Sequence, residues 1–236
     1  MTSSRQAAVV IGANGGIGGA LADALEDEGA FATIHRLTLS NNGNAHIDLQ
    51  DEASIEAAAK RIDAHEIPVT LVICASGLLH DGDRQPEKAL RDLNADWLMQ
   101  NYAVNAIGPA LVAKYFLALM PRKQRCIFAA ISARVGSISD NRLGGWHGYR
   151  ASKAALNMLI RNIAIEWSRR NERSIAVALH PGTVDTGLSA PFQSNVAPGK
   201  LFSPERAAMQ LLDVLDELRP VDTGKLFAWD GQEIAP

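Results

Sequence analysis

A chain of 236 residues can bury one substantial core, and open α/β sheets of this size commonly form a single domain, expected here over residues 1–236. With 47% hydrophobic and 21% charged residues, the composition is that of a packed globular protein and excludes a disordered one. A net charge of −3 supplies no basic field for a phosphate backbone, so nucleic acid is not an expected partner.

Taken in chain order, the opening MTSSRQAAVVIG has one arginine and a short apolar stretch, unlike a secretory signal, and a cytoplasmic location is expected. No apolar run reads as approaching the ~20 residues that span a bilayer, so membrane insertion is not expected. Apolar β-rich runs recur at 7–11, 31–35, 69–74, 125–132, 174–180 and 226–229, separated by stretches of helical spacing. That alternation predicts an α/β fold, a single Rossmann-like doubly wound domain whose parallel sheet has about seven strands with helices on both faces. Between the first two runs, Ile17, Leu21, Ala24 and Leu25 form an apolar stripe that Gly29 ends, which completes one βαβ unit. A further short strand is expected at 46–49, and helices at 51–66, 97–120, 149–170 and 204–218, the last capped by Ser203 before Pro204. Residues 41–44 are rich in Gly and Asn. Residues 187–203 form a Pro/Gly/Ser-rich loop long enough to be functional. Cys74 and Cys126 both stand in apolar runs, which fits a reducing compartment better than a disulfide framework; neither has the surroundings of a metal ligand.

The segment VVIGANGGIGGAL sets Gly12, Gly16 and Gly18, with Asn14, Gly15 and Ile17 between them, at a strand-to-helix turn. Missing side chains there allow a pyrophosphate to approach free N–H groups at the positive end of the helix dipole. A glycine turn alone is a weak signal; its place in a βαβ unit makes it a cofactor loop. Where dinucleotide proteins often carry an acidic residue at the end of the second strand, this chain has His35-Arg36. A guanidinium pairs with a 2′-phosphate, so Arg36 favours NADP(H) over NAD(H), against the alternative of a solvated surface arginine. Asp48, followed by Leu49, is placed to accept a bond from the adenine amino group, or is simply a turn aspartate.

Tyr149 and Lys153 stand four apart in GYRASKAALNML, on one helix face. A phenol of ordinary pKa about 10 is a poor acid at neutral pH, but a neighbouring ammonium stabilises its phenolate. Tyr149 would then protonate a carbonyl oxygen during hydride delivery, or take a hydroxyl proton in reverse. The bland alternative is a surface pair.

Together, the glycine loop and this pair resemble the short-chain dehydrogenase/reductase family, classical type, nearly end to end. Within it, SARVGSISDNRLGGWHGYRASKAALNM is most similar to C-factor-like proteins and sniffer-type carbonyl reductases. The resemblance implies that Tyr149 and Lys153 are catalytic, and that Asn105, in NYAVNAIGP, holds a water linking Lys153 to solvent. It also sets Pro181, Gly182, Val184 and Thr186 against a nicotinamide carboxamide. The family's substrate-orienting serine is harder to place: counting to Gly136 puts Ala133 there with Ser132 just before, whereas counting back from Tyr149 favours Ser137. Ser132 is the first choice, and an insertion within 140–147 would explain the mismatch. Ile11 stands where the family often has threonine, and Cys74-Ala75-Ser76-Gly77 where it often has Asn-Asn-Ala-Gly; backbone contacts from Ala75, Ser76 and Gly77 to the cofactor need no particular side chain. The implied activity is NADP(H)-dependent hydride transfer with a small carbonyl or alcohol substrate, in the reductive direction, its specificity set by 187–203 with Phe192 and Phe202 lining a pocket or anchoring the loop. A weakly catalytic NADP(H)-binding signalling or scaffold protein is the alternative. Relatives imply a homodimer or homotetramer.

Overall fold

Strands buried on both faces need apolar residues at every position, and the first strand, β1 (Ala7–Ile11), has them: each of its five residues is buried. The computed structural model describes residues 6–40, 43–82 and 84–236. The opening segment up to Arg5, and Asn41 and Asn42 of the Gly/Asn-rich stretch, lie outside them. After β1, helix α1 (Gly16–Glu28) ends where Gly29 takes a left-handed φ of 68° that favours glycine. Strand β2 (Thr33–Leu37) and helix α2 (Glu52–Asp63) follow, the latter capped by the Asp51 side chain on the Ala53 N–H. Strand β3 (Val69–Cys74) leads to helix α3 (Ala95–Tyr102), which runs through a π-helical turn (Ala103–Ile107) into α4 (Gly108–Phe116). Then come β4 (Cys126–Ile131), the long helix α5 (His147–Ser168), β5 (Ser174–His180), the short pair β6 (Thr183–Val184) and β7 (Leu201–Phe202), α6 (Pro204–Glu217), β8 (Leu226–Ala228) and β9 (Glu233–Ile234). Ser203 caps α6 as expected, accepting the Arg206 N–H at 3.2 Å.

The main sheet has seven strands in the order β2-β1-β3-β4-β5-β8-β9, parallel except for β9, which runs antiparallel to β8. One face packs on α2, α4 and α5 around Phe116, Phe128 and Leu156; the other packs on α1 and α6 around Leu21, Ile73 and Leu211. This is the doubly wound α/β architecture expected from the alternation of runs.

Three expectations need correction. No strand forms at 46–49: a single bridge joins Thr38 to His46, because the Asp48 side chain folds back onto the Gln50 N–H in a turn. Strand β2 starts and ends two residues later than the apolar pattern suggested, since its register is set by pairing with β1 from Ala7–Thr33 to Ile11–Leu37. One helical stretch, Ala95–Leu119, is long and apolar enough to cross a membrane by length and composition. Here it packs against α2 and α5, with Trp97, Val112 and Phe116 buried.

Candidate active site

In an open parallel sheet, ligands collect outside the carboxyl ends of the strands where the strand order reverses. That point lies between β1 and β3, whose last residues, Ile11 and Cys74, are register partners. Gly12 follows β1 with φ +84°, and a Cβ there would lie 2.6 Å from Ser76 Oγ. A Cβ on Gly18 would lie 2.2 Å from the Gly12 carbonyl oxygen, and one on Gly16 2.6 Å from Thr186 Cγ2. The turn is therefore closed tightly, by backbone at Gly18, by backbone and the Ser76 hydroxyl at Gly12, and by the Thr186 side chain at Gly16. Gly15 caps α1 without any side-chain bond, the first turn carries no acidic residue, and Asn14, Gly15 and Gly16 are exposed. An uncapped, accessible helix N-terminus over a glycine turn fits the pyrophosphate of a dinucleotide.

Beside the glycine turn, Asn14 Nδ2 donates to Ser40 Oγ at 2.8 Å, a partner that the sequence motif did not reveal. Arg36 is turned along α1, where its guanidinium pairs with Asp23 at 2.6 Å and with Glu26 at 2.7 and 2.9 Å. Asp48 is a turn residue: its Oδ1 accepts the Gln50 N–H at 2.9 Å and its own N–H donates to Ser54 Oγ. Leu49 is buried against Gly108, where α4 begins.

Tyr149 and Lys153 project from the first turns of α5 and are both buried. Lys153 Nζ donates to the Ile131 carbonyl at 2.9 Å and lies 5.6 Å from the centre of the Tyr149 ring. Burial lowers the Lys153 ammonium to about 8, while the charge interaction with Cys74 works the other way. Burial pushes the Tyr149 phenol up, the direction opposite to what a neighbouring ammonium alone would do. Asn105 sits in the π-helical turn, fully buried. Its Oδ1 accepts the Leu78 N–H at 2.8 Å, and its Nδ2 donates to the Leu78 carbonyl at 2.8 Å and to Ser152 Oγ at 3.0 Å. Ser152 in turn donates to the Tyr149 carbonyl at 2.9 Å. Asn105 thus clamps the loop after β3 to the base of the Tyr149 turn. Gly77 lies between them: a Cβ on it would be 3.6 Å from both Asn105 Oδ1 and Lys153 Nζ. Ala75 extends the β1 pairing through its N–H to the Ile11 carbonyl at 2.8 Å.

Tyr149 opens onto a cavity of about 220 Å³ that also reaches Ile17, Pro181, Gly182, Val184 and Thr186, so the segments assigned to the cofactor and the phenol share one space. Larger hollows, one beside Phe31 and Arg125 and one between α4 and α5, contain none of these groups. Ser132 and Ala133 line the cavity. The Ser132 hydroxyl is engaged, donating to Asn157 Oδ1 at 2.7 Å. Ser137 lies outside the cavity lining; its hydroxyl accepts the Asp140 N–H at 3.1 Å, closing the turn that begins the 140–147 segment. That segment ends with Gly144 and Gly145 at φ +63° and Trp146 at φ 51°, whose N–H donates to the Glu87 carbonyl. The detour turns the Trp146 ring to within 4.9 Å of Phe192 and 6.3 Å of Tyr149, centre to centre. Phe192 lines the cavity, whereas Phe202 is an anchor beneath Gly182, stacked edge-on to Trp229 at 4.8 Å. Sequence reasoning missed Trp146 and His180 as cavity residues; the paired glycines before Trp146 were the available signal for the first, and the second had none.

A family model described as short chain dehydrogenase matches residues 6–197, from β1 through the loop after β6. The chain belongs to the short-chain dehydrogenase family. This short-chain dehydrogenase is an oxidoreductase by that membership. It is 32% identical to C-signal of Myxococcus xanthus over 146 residues, 62% of this chain and 82% of that protein. Over 232 residues, 94% of this chain and 96% of the other, it is 28% identical to the 1-hydroxy-2-glutathionyl-2-methyl-3-butene dehydrogenase of Rhodococcus sp. (strain AD45). Its fold matches the NADPH-bound carbonyl reductase from chicken fatty liver with a TM-score of 0.80 at 24% identity, over 98% of this chain and 99% of that one. It also matches carbonyl reductase Sniffer of D. melanogaster with a TM-score of 0.77 at 20% identity, over 99% of both chains.

Proposed function

We propose that this short-chain dehydrogenase reduces an uncharged aldehyde or ketone of modest size with NADPH, Tyr149 acting as the acid. The observation that carries this is the shared cavity, in which the Tyr149 phenol, with buried Lys153 behind it, meets the Pro181–Thr186 segment and Ile17. When bound, a dihydronicotinamide supplies the hydride. Thr186, packed on Gly16, and the Gly182 backbone would hold the carboxamide side, while the glycine turn and the first N–H groups of α1 would hold the pyrophosphate. The Tyr149 hydroxyl gives its proton to the substrate oxygen as the carbonyl carbon is reduced to an alcohol. Burial keeps that phenol protonated at neutral pH, which is the form that reduction consumes. Lys153, charged below about pH 8, then favours the phenolate left behind until a proton returns through a water held beside Asn105. Phe192, Trp146, Leu79 and Val184 give the cavity an apolar wall, which suits a small uncharged carbonyl compound.

NADP(H) is favoured over NAD(H) because no carboxylate closes β2: the residues from Arg36 onward are Leu37, Thr38, Leu39 and Ser40. Arg36 would have to exchange Asp23 and Glu26 for a 2′-phosphate, so it contributes less than an unpaired arginine.

The test is NADPH oxidation with a panel of aldehydes and ketones, for the native protein and for Tyr149→Phe. The native chain should turn over, and the variant should lose about 10³-fold in kcat while still binding NADPH. Unchanged turnover in Tyr149→Phe removes the proposed acid. Tight NADPH binding with no oxidation by any carbonyl would favour the second reading, a weakly catalytic NADP(H)-binding protein, which the engaged Ser132 hydroxyl and the likeness to C-signal support.

A further inference from the structure

The cavity holds a polar group that the proposed reaction does not use. Strands β4 and β5 pair as far as Ile131 with Leu179, and Ser132 and His180 follow as the next residues. The Ser132 N–H still donates to the Leu179 carbonyl, at 2.7 Å, so the pleat continues to this point. Alternate residues share a face, and Ala176 and Ala178 lie on the α5 side, so His180 points to that side as well. There it lines the same cavity as Tyr149, Ser132 and Ala133.

Each candidate partner for a substrate oxygen near Tyr149 can be weighed in turn. Ala133 has no polar side-chain atom. The Ser132 hydroxyl donates to Asn157 Oδ1 at 2.7 Å, and the Nδ2 of the same amide is buried without a partner. Ser137 belongs to its own turn and lies outside the cavity lining. His180 differs from all three: its Nδ1 is buried with no hydrogen-bond partner, and no hydrogen bond to its ring is present among the described residues. Buried polar atoms in folded proteins are nearly always paired with protein or with water, so one without a protein partner in a cavity is open to a water or to a ligand. Burial, with the nearby Arg134 charge adding to it, lowers the imidazole to about 4, so near neutral pH the ring offers one N–H donor and one acceptor.

We infer that His180 is a further catalytic residue, whose imidazole N–H holds the substrate carbonyl oxygen together with the Tyr149 hydroxyl. This rests on the carbonyl reduction proposed for the same cavity. An N–H aimed at the oxygen stabilises the negative charge that develops there as hydride adds to carbon, and no proton need leave the histidine. It would also supply the oxygen contact that the alanine at 133 cannot.

Glutamine and methionine have side chains of similar length, but only glutamine keeps an N–H donor. The experiment compares His180→Gln with His180→Met, using NADPH and the best carbonyl compound of the panel, with NADPH binding read by protein fluorescence and folding by thermal melting. His180→Met should lose about 10²-fold in kcat with NADPH binding retained, and His180→Gln should recover at least about tenfold of that loss. Equal turnover of the two variants overturns the inference. So does a loss on Ser132→Ala that is absent from His180→Met, because the serine would then hold the oxygen. Should either longer variant fail to bind NADPH, His180→Asn against His180→Leu decides in the same way. Tyr149→Phe separates the two levels: if it keeps native turnover, the carbonyl reduction itself falls, whereas if it loses turnover and the Gln and Met variants are equal, only the histidine does.

Discussion

One half of the cleft is made of backbone and the other of side chains. On the cofactor side, Gly12, Gly16 and Gly18 leave no room for a Cβ, and the groups offered are peptide N–H at the start of α1. On the substrate side, Tyr149, Trp146, His180 and Phe192 converge from α5, the segment before it, β5 and the 187–203 loop. A backbone site tolerates change in neighbouring side chains: Cys74-Ala75-Ser76-Gly77 departs from the family pattern, yet the Ser76 and Ala75 backbone, with the Ser76 hydroxyl, still closes against Gly12. A side-chain site has no such tolerance, because moving one hydroxyl changes which atoms can reach the substrate. The serine motif shows this: Ser132 turns to Asn157, Ser137 closes a loop, and His180 is the group left over.

After Tyr149→Phe, the change expected to act most strongly on this contrast is Gly18→Ala. A Cβ 2.2 Å from the Gly12 carbonyl forces the turn open at a cost of about 3 kcal/mol. That should weaken NADPH binding by about 10²-fold. Titration of protein fluorescence with NADPH measures it, and an unchanged affinity would show that the turn is not a backbone cradle.

The next effect lies on stability at the boundary between the halves. Lys153 has a folded-state value of about 8 against an ordinary 10.5, so between those values the unfolded chain binds more protons than the folded one. Stability from this group therefore rises with pH across that window, by up to about 3 kcal/mol. Above about pH 10 the raised Tyr149 phenol acts in the opposite sense, since the folded state then holds the proton that the unfolded state loses. Urea midpoints should climb from pH 8 toward pH 10, and Lys153→Met should flatten the climb; an equally steep climb in that variant would place its origin elsewhere.

The smallest effect belongs to Arg36. Because two carboxylates already pair with it, Arg36→Ala should raise the KM for NADPH by about tenfold, less than the loss of an unpaired phosphate contact, and leave that for NADH unchanged. Steady-state kinetics with both cofactors gives the ratio, and equal effects on the two would remove Arg36 from 2′-phosphate recognition.

The fold was legible because its signals are local and repeated. Fully apolar strands, a glycine that ends α1, and Ser203 before Pro204 each act within a few residues, and they agree with one another. The expected strand at 46–49 failed because four residues with an aspartate can satisfy their backbone in a turn as readily as in a ladder, and pairing with β2 stopped at a single bridge. Within the site, Tyr149 and Lys153 could be read together since one helical turn separates them. Asn105 could be placed on a helix, but its clamp on Leu78 and Ser152 joins residues 27 and 47 positions away.

By itself, the sequence determined the layered architecture, the glycine turn and the phenol–ammonium pair, because each is a pattern that short-range backbone geometry enforces. Only the tertiary structure decided where hydroxyls and rings point: that Arg36 lies along α1, that Ser132 turns to α5, and that His180 and Trp146 line one cavity with Tyr149. Those outcomes depend on which side of a strand meets which helix and on the 140–147 detour leading into α5. Sequence separation carries no information about such contacts, since they are fixed only when the distant elements pack.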